Sequence, residues 1–324
     1  MSASSEAMPV LDLVLPFSVP GLDVRGRCVK LGPALDDILS RHAYPAPVAH
    51  LLAEAAALTV LLGSALKFEG RFQLQARTSG VVDLVVVDFD TPDSFRAMAR
   101  FDATRLAQAA DLSPSALLGA GHLALTVDQG SAASRYQGVV ALNGEGLEVA
   151  AQQYFLQSEQ IPTKVRLAAG QVVDRGGAYM RAGGILVQFL PSSPDKLRKH
   201  DLHPGDAPEG SDILIDDEDD AWREARLLTQ TVEDHELIDP TLSAERLVYR
   251  LFHESGAEGF PAIALKAECR CSRERILGMM TRFSEQDRRD MVADDGTISI
   301  ACEFCSRDYV FAPETLELEL QNAI

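Results

Sequence analysis

Cysteine is scarce in this chain, five residues in 324, and that scarcity excludes a disulfide-stapled secreted scaffold. Basic residues are in short supply too. Thirty Lys and Arg face 48 Asp and Glu, for a net charge of −18 and a pI of about 4.8. A chain this acidic is a poor general ligand for nucleic acid or an anionic membrane. Long apolar runs are missing as well. The longest uncharged one, Ala55–Leu66, has 12 residues between Glu54 and Lys67, against the roughly 20 that a bilayer span needs. The start of the chain carries Glu6 and Asp12 and no basic cluster, so no signal peptide is expected. The first 190 or so residues contain no Gly-rich phosphate loop, no Gly-x-Ser-x-Gly elbow and no His-Glu-x-x-His, so nothing there predicts an enzyme. What is present is ample apolar material: 46% hydrophobic residues and a mean hydropathy of −0.01. The length suits two domains, or one large domain and a small one.

Four of the five cysteines fall in one segment as two tight pairs, Cys269-Arg-Cys271 and Cys302-Glu-Phe-Cys305, separated by 30 residues. Each pair offers two thiolates from a short turn, and the gap lets the two turns converge into a tetrahedron, so the spacing predicts a four-thiolate zinc site. The alternative is four unrelated buried thiols. Four thiolates close the coordination shell, whereas a catalytic zinc keeps an open position, so a structural or redox role is expected and hydrolysis is not. Few, clustered cysteines in a chain without an export signal suit a reducing cytoplasm. Cys28 stands alone and reads as a small strand residue. His253, 16 positions before Cys269, reads as a helix-surface residue.

Periodicity places first strands within residues 10–31, a short helix at Ala34–His42, and a long helix at about Pro47–Lys67 that is apolar nearly all round and therefore deeply buried. Period-two patterns predict strands at Arg71–Arg77, Val81–Phe89, Phe95–Phe101, Leu123–Val127, Arg135–Leu142, Lys164–Ala168 and Ile185–Leu190. Helices are expected at Ala103–Ala110 and Leu147–Gln160. Strands and helices mixed in this way predict a large N-terminal α+β domain over residues 1–191.

The character changes after Pro191. Between Gly205 and Pro240 there are 13 acidic residues against two Arg, with Asp216–Asp220 as the extreme. That run lacks the interleaved spacing of a calcium loop and reads as a solvated, self-repelling linker. Beyond it Trp222, Ala225, Leu228 and Val232, then Leu247, Val248, Leu251 and Phe252 after an N-cap at Ser243, recur at helical spacing. Such short helices are marginal alone and must rest on something. Residues 192–265 thus form an acidic, helical, metastable linker, and 266–324 a small zinc-binding domain. In the latter, helices are expected at Ser272–Arg282 and Ser284–Ala293, strands at Thr297–Ala301 and Asp308–Phe311, and a terminal helix from Pro313. A segment this small needs the metal as its staple.

Metal-bound thiolates are also what peroxide attacks. Each cysteine has a partner two or three positions away, so oxidation can pass from a sulfenic acid to a disulfide and eject the metal. Arg270, Arg273 and Arg275 beside the first pair favour thiolate. Loss of the metal should melt the small domain, and with it any helices that depend on it, which exposes apolar surface.

The residues Arg25-Gly26, His42-Ala-Tyr44-Pro45-Ala-Pro47-Val48, Leu66-Lys67-Phe68-Glu69-Gly70, Arg135–Val140, Tyr154–Thr163, Gly183-Gly184, Arg250–Glu254, Cys269-Arg-Cys271-Ser272-Arg273-Glu274-Arg275 and Cys302-Glu-Phe-Cys305 run in order along nearly the whole chain. Together they resemble the redox-regulated 33 kDa heat-shock chaperone family. The resemblance implies one zinc on Cys269, Cys271, Cys302 and Cys305 in a reduced, inactive state. It implies disulfides Cys269–Cys271 and Cys302–Cys305 in an oxidised, active homodimer. It implies a cytoplasmic, ATP-independent holdase, not an enzyme, whose linker unfolds to hold unfolded client proteins. The stretch Ser192–Asp220 looks longer and more acidic than the family pattern. The competing expectations are a constitutive zinc-ribbon adaptor or nucleic-acid module, which the net charge opposes, and a thiol oxidoreductase built on Cys302–Cys305.

Overall fold

A helix without a polar face has to be surrounded, and α2 (Ala46–Ala65) is surrounded by two sheets. The structure, a computed structural model, describes residues 11–66, 68–130, 135–174, 177–190 and 219–316. Helix α2 is long and apolar enough to cross a membrane, but 78% of its apolar window is buried inside the protein. Gly63 brings it against β4 (Val82–Asp90), because a Cβ there would meet the Phe89 ring at 2.5 Å.

One sheet contains β1 (Leu13–Val19), β2 (Val24–Leu31), β8 (Thr163–Asp174) and β9 (Gly177–Phe189), in the order β1-β2-β9-β8. The other runs β5 (Ser94–Phe101), β4, β3 (Arg71–Thr78), β6 (Ala120–Asp128) and β7 (Tyr136–Asn143). All of these pairs are antiparallel. Small helices α1 (Pro33–Ser40), α3 (Ala103–Gln108), α4 (Pro114–Leu118) and α5 (Leu147–Tyr154) fill the ends. Fold class and most element positions agree with the sequence reading. The expected helix at Leu147–Gln160 is α-helical only to Tyr154 and ends in a π turn, Phe155–Glu159, with Gln160 at φ 54°. The expected strands Lys164–Ala168 and Ile185–Leu190 are the feet of a much longer hairpin, β8–β9. Its glycines read as breaks but serve close approach: a Cβ at Gly183 would lie 2.2 Å from the Leu237 carbonyl oxygen.

The first sheet is buried on both faces. Alternate residues Val14, Val29, Leu31, Ala182 and Leu186 face α2. Leu15, Phe17, Val19, Val24, Cys28, Ile185, Val187 and Phe189 face the other way. That outer face is covered by the linker helices α6 (Asp220–Gln230), α7 (Asp234–Ile238) and α8 (Ala244–Phe252). Trp222 packs on Phe189, ring centroids 6.1 Å apart, and Phe252 stacks on Phe17 at 5.9 Å. The marginal helices therefore rest on the core sheet. Polar anchors hold them there: Lys30, 3% exposed, donates to the Glu236 carbonyl at 2.6 Å at the end of α7, and Arg166 donates to Asp234 at 2.7 Å. Cys28 is fully buried beneath them, and burial pushes its thiol up to about 12. Most of the acidic run Asp216–Asp220, with the whole stretch 191–218, lies outside the described residues. Its last members are helix-starting residues: Asp219 caps α6 through the Ala221 amide at 2.9 Å, and Asp220 is in its first turn.

After α8 and a 3-10 turn, His253–Ser255, the chain is extended. Strands β10 (Glu258–Gly259) and β11 (Ile263–Ala264) add to β1, and β12 (Lys266–Ala267) adds to β5 in parallel. The remainder is a separate module. It holds α9 (Arg273–Met280), α10 (Glu285–Asp290) and the hairpin β13 (Ile298–Ala301)–β14 (Asp308–Phe311). Its core is small: Leu277, Met280, Ile298, Tyr309, Phe311 and Leu316. The expected terminal helix lies largely outside the described residues.

Candidate metal centre

The two cysteine pairs arrive from opposite sides of the module. Cys269 and Cys271 follow β12 and end at Ser272, whose side chain caps α9 by accepting from the Arg275 amide at 3.2 Å. Cys271 thus sits just ahead of the N-terminus of α9. Cys302 and Cys305 occupy the turn between β13 and β14. That turn is closed by the Cys305 amide on the Cys302 carbonyl (3.2 Å), the Ser306 amide on the same oxygen (2.8 Å), and Ser306 at φ 52°.

All four sulfurs lie within 4.8 Å of one another. The Cys269 and Cys302 sulfurs are 3.7 Å apart, and those of Cys271 and Cys305 are 3.3 Å apart. Zinc–sulfur bonds of about 2.3 Å in a tetrahedron put the sulfurs roughly 3.8 Å apart, so the donor set fits a four-thiolate ion. These close approaches cross between the pairs, as a tetrahedron requires, and leave the pairing in an oxidised state open. Around the sulfurs the fit continues. The buried Tyr309 hydroxyl has no acceptable partner among the described residues and lies against Cys271, whose sulfur raises its pKa. A metal-bound thiolate there supplies an acceptor.

The thiols are electrostatically unequal. Burial raises Cys269, but hydrogen bonds from the Cys271 amide and the other sulfurs outweigh it and bring it to about 7. Burial dominates at Cys302, which is raised, and at Cys305, which is pushed up to about 12. The arginines beside the first pair do other work than expected. Arg270 donates to Asp90 (2.9 Å) and Asp88 (3.1 Å), and Arg273 stacks over Phe311 at 4.2 Å. The guanidinium hydrogen-bonded to a sulfur comes from the core: Arg96 Nη1 lies 3.9 Å from Cys269 Sγ, and the same group lies 3.8 Å over the Phe304 ring.

Arg96 belongs to a buried cluster. Asp88, wholly buried on β4, accepts from Arg96 at 2.6 and 2.9 Å, from Gln73 at 2.7 Å and from Arg270. His42 completes the dock: Nε2 lies 3.2 Å from the Phe304 carbonyl and Nδ1 3.0 Å from Ser306 Oγ. Sequence reasoning named the cysteines but missed Asp88, Arg96 and His42 as their seat. The available signal was a carboxylate inside the apolar strand Val85-Val86-Val87-Asp88-Phe89, with Arg96 opposite it. His253 is exposed at the C-cap of α8, where Nδ1 lies 3.0 Å from the Tyr249 carbonyl, and is not part of the cluster.

Fold and site together define a mixed α+β protein carrying a docked module of four clustered cysteines with the geometry to hold a metal ion. The sequence profile of the family described as Hsp33 protein matches residues 12–312, and the chain belongs to that family. A 33 kDa chaperonin of Caulobacter vibrioides is 45% identical over 306 residues, 93% of this chain and 95% of its own. One from Pseudomonas putida is 35% identical over 305 residues, 94% and 92% of the two chains. The crystal structure of a 33 kDa chaperonin from Thermotoga maritima superposes with a TM-score of 0.74 over 97% of this chain and 99% of that one, at 19% identity, which shows the shared fold. Family membership supports a chaperone role for this chain.

Proposed function

We propose that this chain is a cytoplasmic, ATP-independent holdase, not an enzyme, kept inactive by zinc on Cys269, Cys271, Cys302 and Cys305 and activated by their oxidation. The proposed divisions are a client-binding core over 1–191, a linker over 192–265 and a redox module over 266–324. The observation that carries the reading is the placement of the linker. Its helices hide an apolar sheet face, yet their apolar contacts are separate from the module's core. The chain joins them to the sulfurs through the extended segment 258–268, and the module is itself seated on the core by the Asp88–Arg270 pair and the docking of Phe304 on Arg96 and His42.

Zinc bound there would hold the four sulfurs as thiolates at neutral pH and supply the module's folding energy. Chemistry then follows from the sulfurs. A thiolate attacks one peroxide oxygen, the O–O bond breaks and water leaves after protonation. The resulting sulfenic acid is displaced by a second thiolate, which forms the S–S bond and releases a second water. Two electrons pass from two sulfurs to one peroxide. Pairing Cys269–Cys271 and Cys302–Cys305 pulls the sulfurs out of the tetrahedron, and the six-residue core does not sustain the module alone. Release of the module frees segment 258–268 and then α6–α8, exposing Phe17, Val187 and Phe189 to unfolded clients and to a second copy.

Peroxide at heat-shock temperature tests this. Zinc release followed with a chromogenic chelator should precede suppression of client aggregation, without ATP. Zinc release that brings no anti-aggregation activity would sink the reading.

A further inference from the structure

Segment 258–268 is built as an added strand. Its amides donate to the edges of both sheets: Phe260 to the Pro16 carbonyl (2.9 Å) and Leu265 to Asp12 (2.8 Å) beside β1, Lys266 to Asp93 (3.0 Å) and Glu268 to Phe95 (3.0 Å) beside β5. One short stretch thus closes an edge of each six-stranded sheet. Its side chains alternate. Leu265 is 7% exposed within the core between the sheets, Ile263 and Ala267 pack beside it, and Ala262, Ala264, Lys266 and Glu268 face solvent.

The pairing is short at every point. Strands β10, β11 and β12 have two residues each, and Pro261, which lacks an N–H, separates the first two. Two-residue ladders are held by little and can be displaced. Phe260, next to Pro261, is itself 49% exposed. An edge left bare is a template for any extended chain.

We infer that the edges of β1 and β5 are client-docking sites: once segment 258–268 leaves, they accept an extended stretch of unfolded polypeptide with apolar side chains at alternate positions, which takes the segment's place. The inference rests on the oxidative release proposed above. Main-chain pairing is tolerant of sequence, as capture of many unfolded chains requires. The slot that takes Leu265 lies between the two sheets. A flexible chain can enter it, whereas an edge strand of a second folded copy is fixed within its own sheet.

The test uses the oxidised full-length chain, a heat-unfolded client, and a synthetic peptide with the sequence of residues 258–268. A second peptide is N-methylated at the four donating amides, Phe260, Leu265, Lys266 and Glu268. The parent peptide should compete with client capture, and the methylated one at least about tenfold more weakly, about 1.4 kcal/mol. Amide exchange on the same samples separates the two claims. Segment 258–268 still protected after oxidation overturns both this inference and the release on which it rests. Release with client capture that neither peptide affects, or that both reduce equally, overturns the docking inference alone. A parent peptide that dissociates a dimer without displacing client assigns the edges to a second copy and also overturns it.

Discussion

The core and the cysteine module fold on different resources. In the core, α2 and two sheets bury Leu51, Leu58, Leu61, Phe72, Phe89 and Phe95 almost completely. The module buries six side chains around four sulfurs. The core is stabilised by apolar area, which an oxidant does not touch; under the proposed function the module depends on coordination, which an oxidant would destroy. Between them helices α6–α8 pack on the core by Trp222 and Phe252 and lead into the module through segment 258–268, while Arg270 ties the module to the core. The proposed control would work because the stable region and the labile region draw on separate sources of free energy.

Stripping the metal from reduced protein should sharpen that contrast most, because structural zinc contributes on the order of 10 kcal/mol to such modules. Amide exchange should become fast across α9, β13 and β14 while α2 and β4 stay protected. A module still protected without metal breaks the comparison. Phe252→Ala attacks the linker side. Removing a fully buried Phe costs about 3–5 kcal/mol. It should red-shift emission from Trp222, the single tryptophan, in reduced protein that retains its metal. A matching fall in core stability would show that linker and core are one cooperative unit.

Asp88→Ala tests the dock. It leaves Arg96 and Arg270 together without their shared carboxylate, a loss of about 3–5 kcal/mol when the charges stay buried. Exchange at β12 and the rate of peroxide-driven metal release should both rise; unchanged rates would remove the dock from the control path. The unequal thiols give a smaller contrast within the module. Cys269 is lowered to about 7, so in a short pulse given as a chelator removes the metal, before the module unfolds, its thiolate is present above that pH and lost as pH falls through it. Cys305, at about 12, stays protonated throughout the neutral range. Site-resolved alkylation from pH 6 to 9 should therefore label Cys269 first. Equal labelling of all four thiols would contradict the electrostatic difference. Ser284→Ala should matter least. It removes one half of the α10 capping box, worth about 1 kcal/mol, and should lower the module's chelator-induced unfolding midpoint without altering the core.

Local chemistry was readable in advance. The paired cysteines, the cap Ser243, the strand Asp308–Phe311 and the apolar helix α2 each depend on residues near one another in the chain. Spacing and periodicity encode such features directly. The sequence by itself therefore determined which four cysteines cluster, the mixed α+β class and most element positions. Tertiary structure decided where those pieces meet. Only packing shows that Gly183 admits the Leu237 carbonyl, so that a glycine-broken stretch is a continuous strand. Only packing places Asp88, Arg96 and His42 under the cysteine turn, joining residues 173 and 262 positions apart in the pairs Arg96–Cys269 and His42–Phe304. The physical reason is range: coordination spacing and helical period are local properties of the chain, whereas a buried carboxylate finds its partners only after the sheets have closed around it.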